Sequence, residues 1–121
     1  MARILVVEDQ EDNRQILRDL LGSADYQMDE AGNGQEALDA VARQRPDLIL
    51  MDIQLPIMDG YEATRRIKAN PAYKDIPIIV VTSYALSGDE GKAREAGCDA
   101  YVTKPYSPRA LLAKIREYLP K

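Results

Sequence analysis

The 121-residue chain has no histidine and a single cysteine. Without histidine, neither a Ser-His-Asp nor a Cys-His catalytic arrangement can be assembled, and imidazole metal sites are excluded. Any phosphoryl or metal chemistry must therefore run on oxygen ligands. The lone Cys98 rules out an internal disulfide and fits a reducing compartment, so the expected location is the cytoplasm. As a free thiol it is expected to be packed in the core. No apolar run approaches the roughly 20 residues that a membrane span needs. Met1-Ala2-Arg3 leads straight into a strand pattern rather than a signal peptide. A net charge of −4 argues against nucleic acid as a partner, and no membrane contact is expected either. The length suits one domain with one core.

Apolar runs alternate with helix-period segments five times, the pattern of βαβ units and a parallel sheet. The first helix carries Ile16, Leu17, Leu20 and Leu21 on one face and stops near Gly22-Ser23. The second carries Ala37, Leu38, Val41 and Ala42 and ends before Pro46. The third spans Tyr61 to Lys68 and is stopped by Asn70-Pro71. The fourth opens on Ser87-Gly88-Asp89-Glu90, which has the form of a capping box, and closes at Gly97. The fifth takes Ser107 as N-cap and Pro108 at its first position, then buries Leu111, Leu112, Ile115 and Leu119.

Residues 4–7, 48–51 and 78–81 are continuously apolar, as strands covered on both faces must be. Residues 26–30 and 101–103 are mixed, which places those strands at sheet edges. The result is an α/β fold, a flavodoxin-like doubly wound five-stranded parallel sheet in the order 2-1-3-4-5 with five helices. Such sheets bind ligands outside the carboxyl ends of their strands, near the switch between strands one and three. Glu8-Asp9 and Asp52 terminate those two strands.

Carboxylates gathered on one rim repel one another unless a proton or cation intervenes. A tight set of oxygen donors favours Mg²⁺. Asp9 and Asp52 are assigned as direct ligands, Glu8 as a direct or water-mediated one, and the backbone carbonyl of Gln54 completes the set. Asp52 is also a candidate nucleophile toward phosphorus, giving an aspartyl phosphate. Lys104 supplies a second positive contact and Thr82 a hydroxyl donor for the phosphoryl oxygens, the positioning and electrostatics that phosphoryl transfer requires. Each feature alone is weak, since acids at strand ends, a strand threonine and a surface lysine are all common. Pro105 adds weight to Lys104, because a proline there fixes the loop and, if cis, turns the lysine back toward the pocket.

Over essentially its whole length the chain resembles the receiver domain of two-component response regulators. The resemblance rests on Glu8-Asp9, the run from Leu50 to Pro56 around Asp52, Met58-Asp59-Gly60, Thr82-Ser83, Gly97 to Tyr101 and Lys104-Pro105. It implies one receiver domain over residues 1–121, a signalling protein rather than an enzyme. It further implies that Asp52 is phosphorylated from a phosphohistidine on a histidine kinase or histidine phosphotransfer protein, with Mg²⁺ at Glu8 and Asp9. Thr82 and Tyr101 are the implied switch pair. Helix four, strand five and helix five form the implied surface for a downstream signalling protein. By analogy Gln54 and Tyr84 flank the path of the water that hydrolyses the acyl phosphate. The first helix faces the site, with Arg14 and Gln15 placed to meet the phosphodonor.

Other readings fit less well. A haloacid-dehalogenase-type phosphatase needs a second aspartate two positions after the nucleophile, where this chain has Gln54, and usually a cap domain. An FMN carrier needs a Ser/Thr/Gly-rich phosphate loop after strand one, where this chain is acidic from Glu8 to Asp12 apart from Gln10. Within the receiver family, the alternative is a module of a hybrid kinase or a DNA-binding regulator. The start at Met1 and the complete fifth helix favour a freestanding regulator, similar to the DivK-like cell-cycle and polarity proteins.

Overall fold

Three uninterrupted apolar runs become the three inner strands of one parallel sheet. The computed structural model describes residues 2–82 and 89–119. Its strands are β1 (Arg3–Val7), β2 (Gln27–Ala31), β3 (Leu48–Asp52), β4 (Ile78–Thr82) and β5 (Ala100–Thr103). They pair in the order β2-β1-β3-β4-β5, every pair parallel. The helices are α1 (Glu11–Ser23), α2 (Gly34–Arg43), α3 (Gly60–Ala69), α4 (Asp89–Ala96) and α5 (Pro108–Tyr118). This is the doubly wound flavodoxin-like arrangement expected from the sequence.

Side chains alternate across the sheet and divide the core in two. Ile4, Val6, Leu48, Leu50, Ile79 and Val81 pack against Leu17 and Leu21 of α1 and Leu111 and Ile115 of α5. Leu5, Val7, Ile49, Met51, Ile78 and Val80 pack against α2, α3 and α4. Cover on both faces is the reason these strands carry no polar interruption. Each large side chain so buried contributes roughly 1.5–3 kcal/mol.

Caps fix three helix starts. The side chains of Asn33, Asp59 and Ser107 accept from the backbone N–H of Glu36, Glu62 and Ala110. Pro108 occupies the first position of α5 as expected. The Ser87-Gly88 half of the anticipated capping box lies outside the described residues, while α4 does close at Gly97, whose φ of +104° suits glycine.

Several expectations need correction. Ile16 is 55% exposed rather than in the core. The buried line of α1 runs through Leu17 and Leu21, with Leu20 half-buried, and Ile16 falls beside it. In α2 Ala37 is buried as expected, but the second buried alanine is Ala40, and Ala42 faces solvent. Tyr26 precedes β2 and is buried, and Cys98 is only partly buried against the core.

At the end of the sheet opposite the acids, one carboxylate ties three elements. Asp99 Oδ2 accepts from Lys68 Nζ of α3 and from the Ile78 N–H of β4, both at 2.8 Å. Lys68 Nζ also donates to the carbonyls of Lys74 and Ile76. Asp99→Ala removes a charge-assisted acceptor and is expected to lower unfolding stability by about 2 kcal/mol in urea denaturation. Asp99→Asn, which can keep the Ile78 bond, loses less.

Candidate functional site

Strand parity decides which way the acids point. Asp52 follows Leu48 and Leu50 on the α1/α5 face, and Glu8 follows Ile4 and Val6 on the same face. Both are nearly sealed, at 9% and 3% exposure. Asp9 is exposed on the adjoining turn. Carboxylate oxygens of Glu8, Asp9 and Asp52 all lie within 4.8 Å of one another.

Lys104 arrives from beyond β5, next to a cis Lys104–Pro105 bond. Its Nζ donates to Glu8 Oε1 at 3.1 Å and to Asp52 Oδ2 at 3.3 Å. Burial works against its charge, but Asp52 and Glu8 more than compensate, and the net shift is upward from the usual lysine value. Burial likewise pushes the neighbouring Tyr106 phenol up, against the opposing pull of Lys104 and with a smaller push from Glu8. Lys104 stays an ammonium at neutral pH.

The three carboxylates differ in what they have left to offer. Glu8 Oε1 takes Lys104, and Oε2 accepts the Gln10 N–H at 3.1 Å. Asp9 accepts no hydrogen bond from the described residues. With one ammonium against three carboxylates, the cluster keeps an excess of two negative charges. Its oxygen-only donor set therefore fits a hard divalent cation. Around it lies a polar cavity of about 330 Å³ lined by these acids with Asn13, Gln54 and Lys104. Asn13 was not among the site residues expected from the sequence. Its place on the first turn of α1, four residues after Asp9, was the available signal.

Thr82 is buried at the end of β4 and its carbonyl accepts the Lys104 N–H at 2.7 Å. Parity sends its side chain to the face opposite Asp52, and it does not line the acidic cavity. Tyr101 pairs with Val80 and packs against the same core cluster, so Thr82 and Tyr101 share a face. Tyr84 lies outside the described residues.

These positions converge with the relationships of the chain as a whole. Residues 4–116 match the response regulator receiver domain. The chain belongs to the response regulator receiver family. The receiver is 44% identical over 116 residues to the polar-differentiation response regulator DivK of Brucella anthropi, covering 96% of this chain and 94% of that one. Among solved structures it is similar to the receiver domain of the sensor histidine kinase PA1611 from Pseudomonas aeruginosa, with a TM-score of 0.92 and 36% identity. That match covers 99% of this chain and 98% of the other. The PA1611 receiver has a magnesium ion coordinated in its active-site cleft. The chemotaxis protein CheY4 of Vibrio cholerae gives a TM-score of 0.91 at 29% identity, covering 98% of each chain.

The loop after Asp52 is held by two close approaches. Gly60 donates its N–H to the Ile53 carbonyl, and a Cβ there would stand 2.1 Å from the Asp52 carbonyl oxygen. Gly34 of α2 donates to the Met58 carbonyl, and a Cβ there would stand 2.4 Å from that oxygen. Between these anchors Ile57 takes a φ of +70°, with the Met58 N–H closing a γ-turn onto Pro56 at 2.7 Å. A β-branched residue in that region is strained. Its side chain is 85% exposed and returns little packing. Ile57→Gly, with no Cβ to strain at this positive φ, is accordingly expected to raise unfolding stability by about 1 kcal/mol, read as a higher urea midpoint at unchanged slope.

Proposed function

We propose that the receiver is a phosphoaspartate switch, with Asp52 accepting a phosphoryl group from a phosphohistidine on a histidine kinase or histidine phosphotransfer protein. The observation that carries this reading is the Lys104 ammonium held on a nearly buried Asp52 beside two further carboxylates. In the reaction an Asp52 oxygen forms a bond to phosphorus while the P–N bond breaks, and the electron pair leaves with the imidazole nitrogen.

Asp9 and Asp52 would hold Mg²⁺ directly, and the backbone carbonyl of Gln54, a residue of the cavity wall, would complete the set. The occupied oxygens of Glu8 favour its acting through a water. When bound, the ion supplies charge neutralisation to the phosphoryl oxygens. Lys104 is positioned to contact the transferred group, and its donors would redistribute from Glu8 and Asp52 onto phosphoryl oxygens. Glu8 and the Gln10 N–H hold the rim in shape around it.

The signal would leave through the face that Thr82 shares with Tyr101. Drawing Thr82 toward a phosphoryl group changes the space beside Tyr101, and a population shift of that pair alters the surface of α4, β5 and α5. That surface would bind a downstream signalling protein. We place the whole of residues 1–121 in one receiver domain acting in the cytoplasm, with neither nucleic acid nor membrane as partner. Among the described residues no helix is long and apolar enough to cross a membrane.

Intact mass after incubation with Mg²⁺ and a small acyl phosphate is expected to show one added phosphoryl group. That group should be absent with Asp52→Asn or in excess chelator. An unchanged mass for the wild-type protein, or a gain retained in Asp52→Asn, defeats the proposal. Tyr101→Ala is expected to phosphorylate normally but to bind the downstream protein without regard to phosphate. A binding assay in which the variant keeps its phosphate dependence would remove Tyr101 from the switch.

A further inference from the structure

Four residues line both the acid cavity and an apolar one beside it. The apolar cavity occupies about 470 Å³ between α1 and α5, and its walls include Ile16, Leu17, Pro105 and Tyr106. The shared residues are Glu8, Asp52, Lys104 and Asn13. The first three are charged and tied to one another through Lys104. Asn13 is the uncharged one, half-buried on the first turn of α1. Asparagine near a helix start commonly bonds the local backbone. Here Gln10 caps α1 without a side-chain bond, and the Asn13 amide bonds to none of the described residues. A neutral, unengaged amide therefore stands where the polar cavity meets the apolar one.

We propose that Asn13 selects an N-phosphorylated imidazole as phosphodonor, its amide oxygen accepting the N–H of the ring that leaves. The inference rests on the proposed loading of Asp52. In-line attack by an oxygen of the nearly sealed Asp52 puts the leaving nitrogen on the far side of phosphorus, toward the open side of the cavity. A leaving imidazole needs apolar contact for its faces and a polar partner for its edge. The join of the two cavities supplies both, with Ile16, Pro105 and Tyr106 on one side and Asn13 at the boundary. The ring reacts in its protonated form, with hydrogen on the nitrogen that bears no phosphorus. The Asp52 O–P bond forms and the P–N bond breaks, leaving its electron pair on nitrogen. The ring departs as neutral imidazole with that hydrogen still in place. An oxygen acceptor facing the hydrogen holds the ring in the form that leaves, and the excess negative charge of the acid cluster acts in the same direction. An acyl phosphate gains nothing from Asn13, because its leaving carboxylate has no hydrogen to donate.

The test follows Asp52 loading by intact mass in the full chain, with saturating Mg²⁺ and either phosphoimidazole or acetyl phosphate as donor. Both donors are small, so docking of a partner protein does not enter the comparison. The readout is the ratio of the two loading rates, phosphoimidazole over acetyl phosphate. Asn13→Leu, close in size but without an acceptor, is expected to lower that ratio about tenfold, the effect of losing one hydrogen bond to a charged group. Asn13→Asp keeps an acceptor oxygen and loses the amide hydrogens, and it is expected to hold the ratio at or above the wild-type value. A ratio unchanged in Asn13→Leu overturns the inference, even if both rates fall together. A ratio that falls as far in Asn13→Asp as in Asn13→Leu overturns it too, because the amide then acts as a donor. Wild-type protein loaded by acetyl phosphate but not by phosphoimidazole removes the inference and leaves the reading of Asp52 standing. Loading by neither donor removes both.

Discussion

One ammonium holds the rim together. Lys104 bridges Glu8 and Asp52, two carboxylates from strands β1 and β3 that would otherwise sit nearly buried without a countercharge. Removing one partner from such a buried arrangement typically costs about 3–5 kcal/mol, because the remaining charge is stranded. The cationic end comes from the far edge of the sheet, beyond β5, so the interaction requires β1, β3, β4 and β5 to be paired in that order. The parallel sheet is thus a precondition of the site.

The charge left over after that bridge shapes everything else on the rim. Lysine answers one carboxylate of three. Glu8 has both oxygens engaged, which leaves Asp9 and Asp52 as the groups that face an incoming cation. Thr82, meanwhile, stands on the other face of the sheet by strand parity. The acids and the lysine therefore form the charged half of the site, and the threonine belongs with Tyr101 on the half that faces α4. A charge placed on Asp52 has to be felt through β4 to reach that second half.

The apolar cavity between α1 and α5 follows from the same parity. Glu8 and Asp52 continue the file of side chains that builds the α1/α5 core, so the acid site is the open end of that core rather than a separate feature. Ile16 stands where the core opens, exposed on α1 at the rim of that cavity.

Local patterns in the sequence determined a good deal by themselves. The three unbroken apolar runs required strands covered on both sides, and the mixed composition of residues 26–30 and 101–103 put those strands at the edges. Strand order, helix periods, the Ser107-Pro108 start and the gathering of Glu8, Asp9, Asp52 and Lys104 at one rim followed from these. Only the tertiary structure decided that Ile16 is exposed while Leu17 is not, that Ala40 rather than Ala42 is buried, that Glu8 spends both oxygens within the protein, and that Ile57 is strained. The physical reason is range. Periodicity records which face of an element meets the core, a local property. The partner of a given atom can lie 96 residues away, as Lys104 does from Glu8, and depends on how all the elements settle against one another.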